Sequence, residues 1–152
     1  MDDQEIEALL CAEWERICNT DEARGFQALD HRDKVIHDVW MLEAELDNGG
    51  FAQYMFNSWG DRGIAAVASL REVGAHSLAT VCERFFALLA EGAPAPDQDA
   101  RQAQLDEAGE RMGEGAFDDA CVALEREFYA GEDELRHLLV AYILNSRKSG
   151  RA

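Results

Sequence analysis

Proline is nearly missing from this sequence: of 152 residues only Pro94 and Pro96 carry the ring, both within the stretch 91–97. Elsewhere nothing removes a backbone donor or locks φ, so helices are free to run long. Alternation of apolar and polar β-branched residues is also missing, which excludes a sheet as the organising element. The four cysteines, Cys11, Cys18, Cys82 and Cys121, stand singly with no CxxC pair. That spacing argues against a disulfide scaffold or a cysteine-ligated zinc, and it predicts four small apolar core residues. No apolar run reaches the ~18–20 residues of a membrane span. The opening Met1-Asp2-Asp3-Gln4-Glu5 is acidic where a signal peptide is basic, so a cytoplasmic protein without membrane contact is expected. Basic residues are scarce too, 14 against 31 acids, for a net charge of −17. Phosphate contacts need a basic footprint, and Arg147, Lys148 and Arg151 form the only basic cluster. Direct nucleic-acid binding is therefore not expected.

What remains is a chain well able to fold. Its 47% hydrophobic and 9% aromatic content separates it from disordered acidic tails. The length suits one domain, residues 1–152, with a core that needs no staples. Helical spacing recurs throughout. Ile6, Leu9, Leu10, Trp14 and Ile17 mark one stripe, and Val35, Val39, Leu42 and Leu46 mark a second, stopped by Asn48-Gly49-Gly50. A short helix follows from Phe51. Asp61 is placed to cap an alanine-rich helix that Gly74 closes, and Leu78, Val81, Cys82 and Phe85 form the next stripe. After a surface loop or hinge at 91–97, Asp97 caps a helix running to about Met112, with Gly113 and Gly115 as breaks. Two more helices follow, one through Phe117, Cys121, Leu124 and Phe128 and one from about Glu132 to Asn145, with a frayed tail at 149–152. The predicted class is all-α, a single irregular bundle of about eight helices.

The search for chemistry finds little that converges. There is no HExxH, GxSxG, P-loop or GxGxxG motif. Glu134 and His137 share the i, i+3 spacing of a di-iron ligand pair, but that architecture needs two such motifs and only one is present. His31 and His37 are six apart and face different ways on a helix. No serine or cysteine stands in a nucleophile context. The sequence predicts no catalytic residues, no metal and no cofactor.

The charge is concentrated. Residues 1–22 carry −7 and residues 97–134 carry −10, whereas the last eighteen carry +4. Clustering of this kind favours a functional surface over general solubility. The candidate partner-binding residues are Asp2, Asp3, Glu5 and Glu7 in the first segment. In the second they are Asp106, Glu107, Glu110, Glu114, Asp118 and Asp119. Asp106, Glu110, Glu114 and Asp118 keep a four-residue step, which on a helix places carboxylates about 5–6 Å apart at Cβ, close to the spacing of charges along a nucleic-acid strand.

The run Asn48-Gly49-Gly50-Phe51-Ala52-Gln53-Tyr54-Met55-Phe56-Asn57 resembles the NGGF-x-QY-x-x-N signature of the acidic, all-helical DNA-mimic family. The resemblance implies a helical protein that displays carboxylates in the manner of DNA phosphates and occupies the DNA-binding face of a helix-turn-helix regulator. It leaves room for a homodimer. The signature itself reads as a helix stop, a tight turn and an aromatic re-entry, with Gln53 or Asn57 available to bond the turn backbone. The expected partner is a basic DNA-binding protein, a transcription regulator or a nuclease. The alternative is an immunity-type inhibitor of a basic toxin or nuclease.

Overall fold

The computed structural model describes residues 1–149, and among these it is all helix and turn. Seven α-helices follow one another: α1 (Asp3–Arg24), α2 (His31–Phe56), α3 (Gly63–Glu72), α4 (His76–Phe86), α5 (Gln98–Met112), α6 (Glu114–Tyr129) and α7 (Glu132–Ser149). Short 3-10 segments, Phe26–Ala28 and Ser58–Arg62, flank α2. The break expected at Asn48-Gly49-Gly50 is present as a kink inside α2, so its two halves account for the expected eighth helix. The helix α7 continues through Ser149, one residue into the stretch expected to fray, and residues 150–152 lie outside the described part.

Local chemistry explains most of the boundaries. Asp2 caps α1 with a reciprocal capping box: its carboxylate accepts from the Glu5 amide at 2.9 Å, and Glu5 accepts from the Asp2 amide at 2.9 Å. Asp30 caps α2 and Asp97 caps α5, the latter as expected. Asp61 does not cap α3. Its carboxylate is taken by Arg101 at 2.6 Å, and the α3 N-terminus follows directly from the preceding 3-10 turns. Gly113 ends α5 as expected, but Gly115 lies inside α6 and breaks nothing.

The long helix α2 is the axis of the molecule, and α1, α3, α5 and α6 all rest on it. Its stripe Val35, Val39, Leu42, Leu46 is fully enclosed, as are Ile17 of α1, Leu70 of α3, Phe85 of α4, Phe128 of α6 and Leu135 of α7. Each such side chain contributes roughly 1.5–3 kcal/mol by leaving water. Only Cys82 of the four cysteines belongs to this core. Cys11 is exposed and Cys18 and Cys121 are half-buried, because the faces of α1 and α6 that carry them look outward or toward partner rims.

Two polar knots interrupt the apolar interior. Glu13, 2% exposed, accepts from Arg16 (2.9 Å) and Arg147 (2.6 Å) and pairs with Arg32 (2.5 Å), so α1, α2 and α7 meet on one carboxylate. Burial opposes its charge, but the three guanidiniums win and hold the group at about 2. The second knot fastens the proline loop: Gln104 bonds the Ala95 amide and the Ala93 carbonyl, and Arg101 reaches the Ala95 carbonyl.

Candidate functional site

The glycine pair has a clear local purpose. Gly49 (φ −174°, ψ 20°) and Gly50 (φ 72°, ψ −164°) leave helical geometry, and the second combination belongs almost solely to glycine. Breaking the helix orphans two backbone groups, and both are sealed by α6. The Leu46 carbonyl accepts from the Tyr129 hydroxyl at 2.6 Å, and the Phe51 amide donates to Glu125 Oε1 at 2.9 Å. Phe51 then stacks on Phe85 of α4 with ring centroids 4.2 Å apart. Tyr54 is buried, which raises its phenol well above the ordinary value. Asn57 does not bond the turn backbone, as its position suggested, but donates to Glu45 Oε2 at 2.5 Å. The signature residues with contacts here all face inward, and their work is to hold α6 and α4 against the kink.

The acidic residues singled out from sequence divide by what they touch. Asp2 and Glu5 are occupied in the capping box, and Glu7 pairs with Arg136 of α7. Asp106 accepts only from neutral Gln102 at 3.1 Å, while Glu107 is neutralised by Arg111 at 2.7 Å. Asp3, Glu110, Glu114, Asp118 and Asp119 are exposed and have no basic partner among the described residues. The two clusters occupy different packing units, since α1 rests on α2 and α7 whereas α5 rests on α2 and α6. Gly113 divides the four-residue ladder into Asp106–Glu110 on α5 and Glu114–Asp118 on α6. The two helices pack together across that single residue, so the carboxylates they carry belong to one structural unit.

A third acidic group escaped the sequence reading. A cavity of about 270 Å³ opens between α1, α2 and α7, with Trp40, Leu10 and Leu139 as apolar wall and Glu43, Asp47 and the Glu7–Arg136 pair as polar wall. At the start of α7 the Glu132 carboxyl lies close to Asp47, and its Oε1 is buried without a hydrogen-bond partner. Burial, and then Asp47, push Glu132 up to about 8. Burial pushes Glu43 up to about 7, with Asp47 adding and Arg136 opposing. Near neutral pH this corner is therefore only partly charged, and a surface of full negative charges has to be sought on α5 and α6. The Glu132-Asp133-Glu134 run reads from sequence as dipole complement, and it does lie in the first turn of α7. Its pairing with a residue 85 positions earlier leaves no trace in the local pattern.

The Glu132 shift has a testable sign. Between pH 4.5, its ordinary value, and about 8 the folded state keeps a proton that the unfolded chain releases, so this group's contribution to stability is intact below 4.5 and lost as pH rises through 8. Glu132→Gln keeps the shape of the side chain and removes the titrating group. The variant should gain about 1 kcal/mol over wild type at pH 8.5, after discounting for water at this corner, and nothing at pH 4. Urea unfolding followed by circular dichroism at both pH values checks this, and an equal difference at both would refute the raised Glu132 value.

The remaining histidine and metal candidates do not converge. His137 Nδ1 contacts the Asp133 carbonyl at 2.7 Å on the surface, and Glu72 is engaged by His31 (2.8 Å) and the Tyr142 hydroxyl (2.6 Å). No group of three His, Cys, Asp or Glu side chains among the described residues is arranged to hold a metal ion. No helix among them is long and apolar enough to cross a membrane.

These features define an all-helical protein organised around a broken central helix, with Asp106, Glu110, Glu114, Asp118 and Asp119, exposed and without a basic partner among the described residues, on the packed pair α5 and α6. Residues 27–146 match the family model described as DMP19-like protein, and the chain belongs to that family. The match spans the signature, both halves of α2 and the whole of α3 to α6. No curated protein and no solved structure matches the chain.

Proposed function

We propose that the protein acts by occupying the DNA-binding face of a basic protein with the carboxylates of α5 and α6, in the manner of DNA phosphates. The observation that carries this reading is the set Asp106, Glu110, Glu114, Asp118 and Asp119. All five are exposed, and none has a basic partner among the described residues. Folding concentrates them on two packed helices without neutralising them, and only Glu114, in the first turn of α6, complements a helix dipole. A basic groove-reading surface would relieve it, and the encounter would be fast and steeply salt-dependent.

The test starts with immobilised protein, a lysate of the source cells at low salt, and elution with duplex DNA. A basic DNA-binding protein should be released from wild type. It should be absent from a column carrying Glu110→Gln, Glu114→Gln, Asp118→Asn and Asp119→Asn together. With each exposed pair contributing up to about 1 kcal/mol, the fourfold change should weaken binding roughly a hundredfold or more in titration calorimetry. Equal retention by the amide variant would refute the site, and elution by salt but never by DNA would refute the mimicry.

A further inference from the structure

His37 is enclosed as no other histidine among the described residues is. Its ring is 2% exposed and lies 5.4 Å from Trp14 of α1, 5.0 Å from Phe26 and 4.6 Å from Trp59, all measured between centroids. The walls that close over it are the two short 3-10 segments, Phe26–Ala28 and Ser58–Arg62. Its Nδ1 is buried and has no hydrogen-bond partner. The charged groups nearby come from three elements: Asp21 from α1, Asp38 and Lys34 from α2, and Arg62 from the second 3-10 segment. The segment Phe26–Ala28 contributes none.

The charge of Asp38 is already committed. Arg62 binds it at 2.5 and 2.8 Å, and Ser69 donates to it at 3.3 Å. The same Arg62 guanidinium lies 4.4 Å over the Phe26 ring, so Phe26 is in contact with both a fixed cation and the imidazole. A neutral imidazole tolerates this box. An imidazolium has two N–H donors to satisfy, and with Nδ1 walled in, one of them would be buried unpaired beside Arg62.

We infer that His37 is a proton-operated latch: protonation of its ring opens the two 3-10 segments that close the aromatic box and leaves the helical scaffold in place. Burial lowers the affinity of the ring for a proton, with Asp38 and Asp21 opposing. The closed form is therefore favoured above the ordinary histidine value of about 6.5 and loses ground as pH falls below it. Opening would uncover the rest of the half-buried Phe26 and Trp59 and release the Arg62 side chain from Asp38.

The chain holds three tryptophans, and all three sit at this place: Trp14 and Trp59 flank His37, and Trp40 stacks on Trp14 at 4.9 Å. Intrinsic emission therefore reports the latch directly. In the full-length protein taken from pH 8 to pH 5, emission should drop and move to the red while far-UV circular dichroism stays constant. The His37 ring, followed by nitrogen-resolved NMR, should be half-protonated below about 6.5. His37→Phe and His37→Gln, two variants with different tolerance for burial, should both lack the emission step. The same step in either folded variant, a ring midpoint at or above the ordinary value, or helix loss in parallel with the emission change would each overturn the latch.

Discussion

Arg101→Met is expected to lower the unfolding free energy by about 3–5 kcal/mol and the melting temperature by roughly 10 °C or more, the largest effect of any single substitution considered. Arg101 is the largest side chain with no exposed surface. Its guanidinium donates to the carbonyls of Met55 (2.8 Å), Asn57 (3.0 Å) and Ala95 (3.0 Å) and pairs with Asp61 at 2.6 Å. Those carbonyls terminate the second half of α2 and belong to the proline loop, where no helical amide can reach them. Methionine fills much of the volume but leaves buried acceptors unpaired, each costing about 1–3 kcal/mol. Arg101→Lys discriminates charge from geometry. A single ammonium cannot span three carbonyls in one plane, so lysine should recover less than half of the loss in thermal unfolding. Full recovery by lysine would show that only the Asp61 pair matters.

Gly50→Ala comes second, with an expected loss of about 3 kcal/mol. The residue sits at φ 72° and ψ −164°, and a Cβ there would collide with the Glu125 carboxylate. Glu125 is the end of a flexible chain and can swing aside, but doing so abandons the Phe51 amide it satisfies at 2.9 Å. The two contributions separate in a cycle with Glu125→Ala. If the carboxylate clash dominates, the double variant should be hardly worse than Glu125→Ala alone. If backbone strain dominates, Gly50→Ala should cost the same in either background. The geometry favours a mixture, with at least about 1 kcal/mol of strain surviving in the double variant. Complete additivity in urea unfolding would show that strain accounts for the whole loss and that the clash with Glu125 costs nothing.

What the sequence made legible was local. Of the α1 stripe Ile6, Leu9, Leu10, Trp14 and Ile17, three residues are buried and Leu9 and Trp14 are half-buried, the stop at Asn48-Gly49-Gly50 is a real break, and Asp97 caps α5. Each depends on neighbours within about one turn, where periodicity and capping rules operate. The misses are long-range. Arg101 counts in a charge tally as one of three bases diluting an acidic segment, yet it is enclosed by residues forty or more positions earlier. Glu13 counts as surface acid, yet it anchors arginines from three helices. His37 follows the apolar stripe of α2 so closely that only its three aromatic neighbours from distant segments reveal its enclosure. Of the candidate acids, two turned out to be capping partners and two are matched by arginine, a distinction that spacing cannot make.

The helices α5 and α6 are attached by a set of residues distinct from the unpaired acids: Arg101 and Gln104 hold the loop and the end of α2, Glu125 and Tyr129 seal the kink, and Arg111 and Glu127 reach the Leu88 carbonyl and Arg84. Glu110, Glu114, Asp118 and Asp119 on the outside bond nothing on which the fold depends. On the proposed reading, recognition and architecture would use separate sets of residues on the same two helices. The outer charge pattern can drift, or be redrawn by design for a different basic partner, at almost no expense in stability, while the inner set must stay fixed.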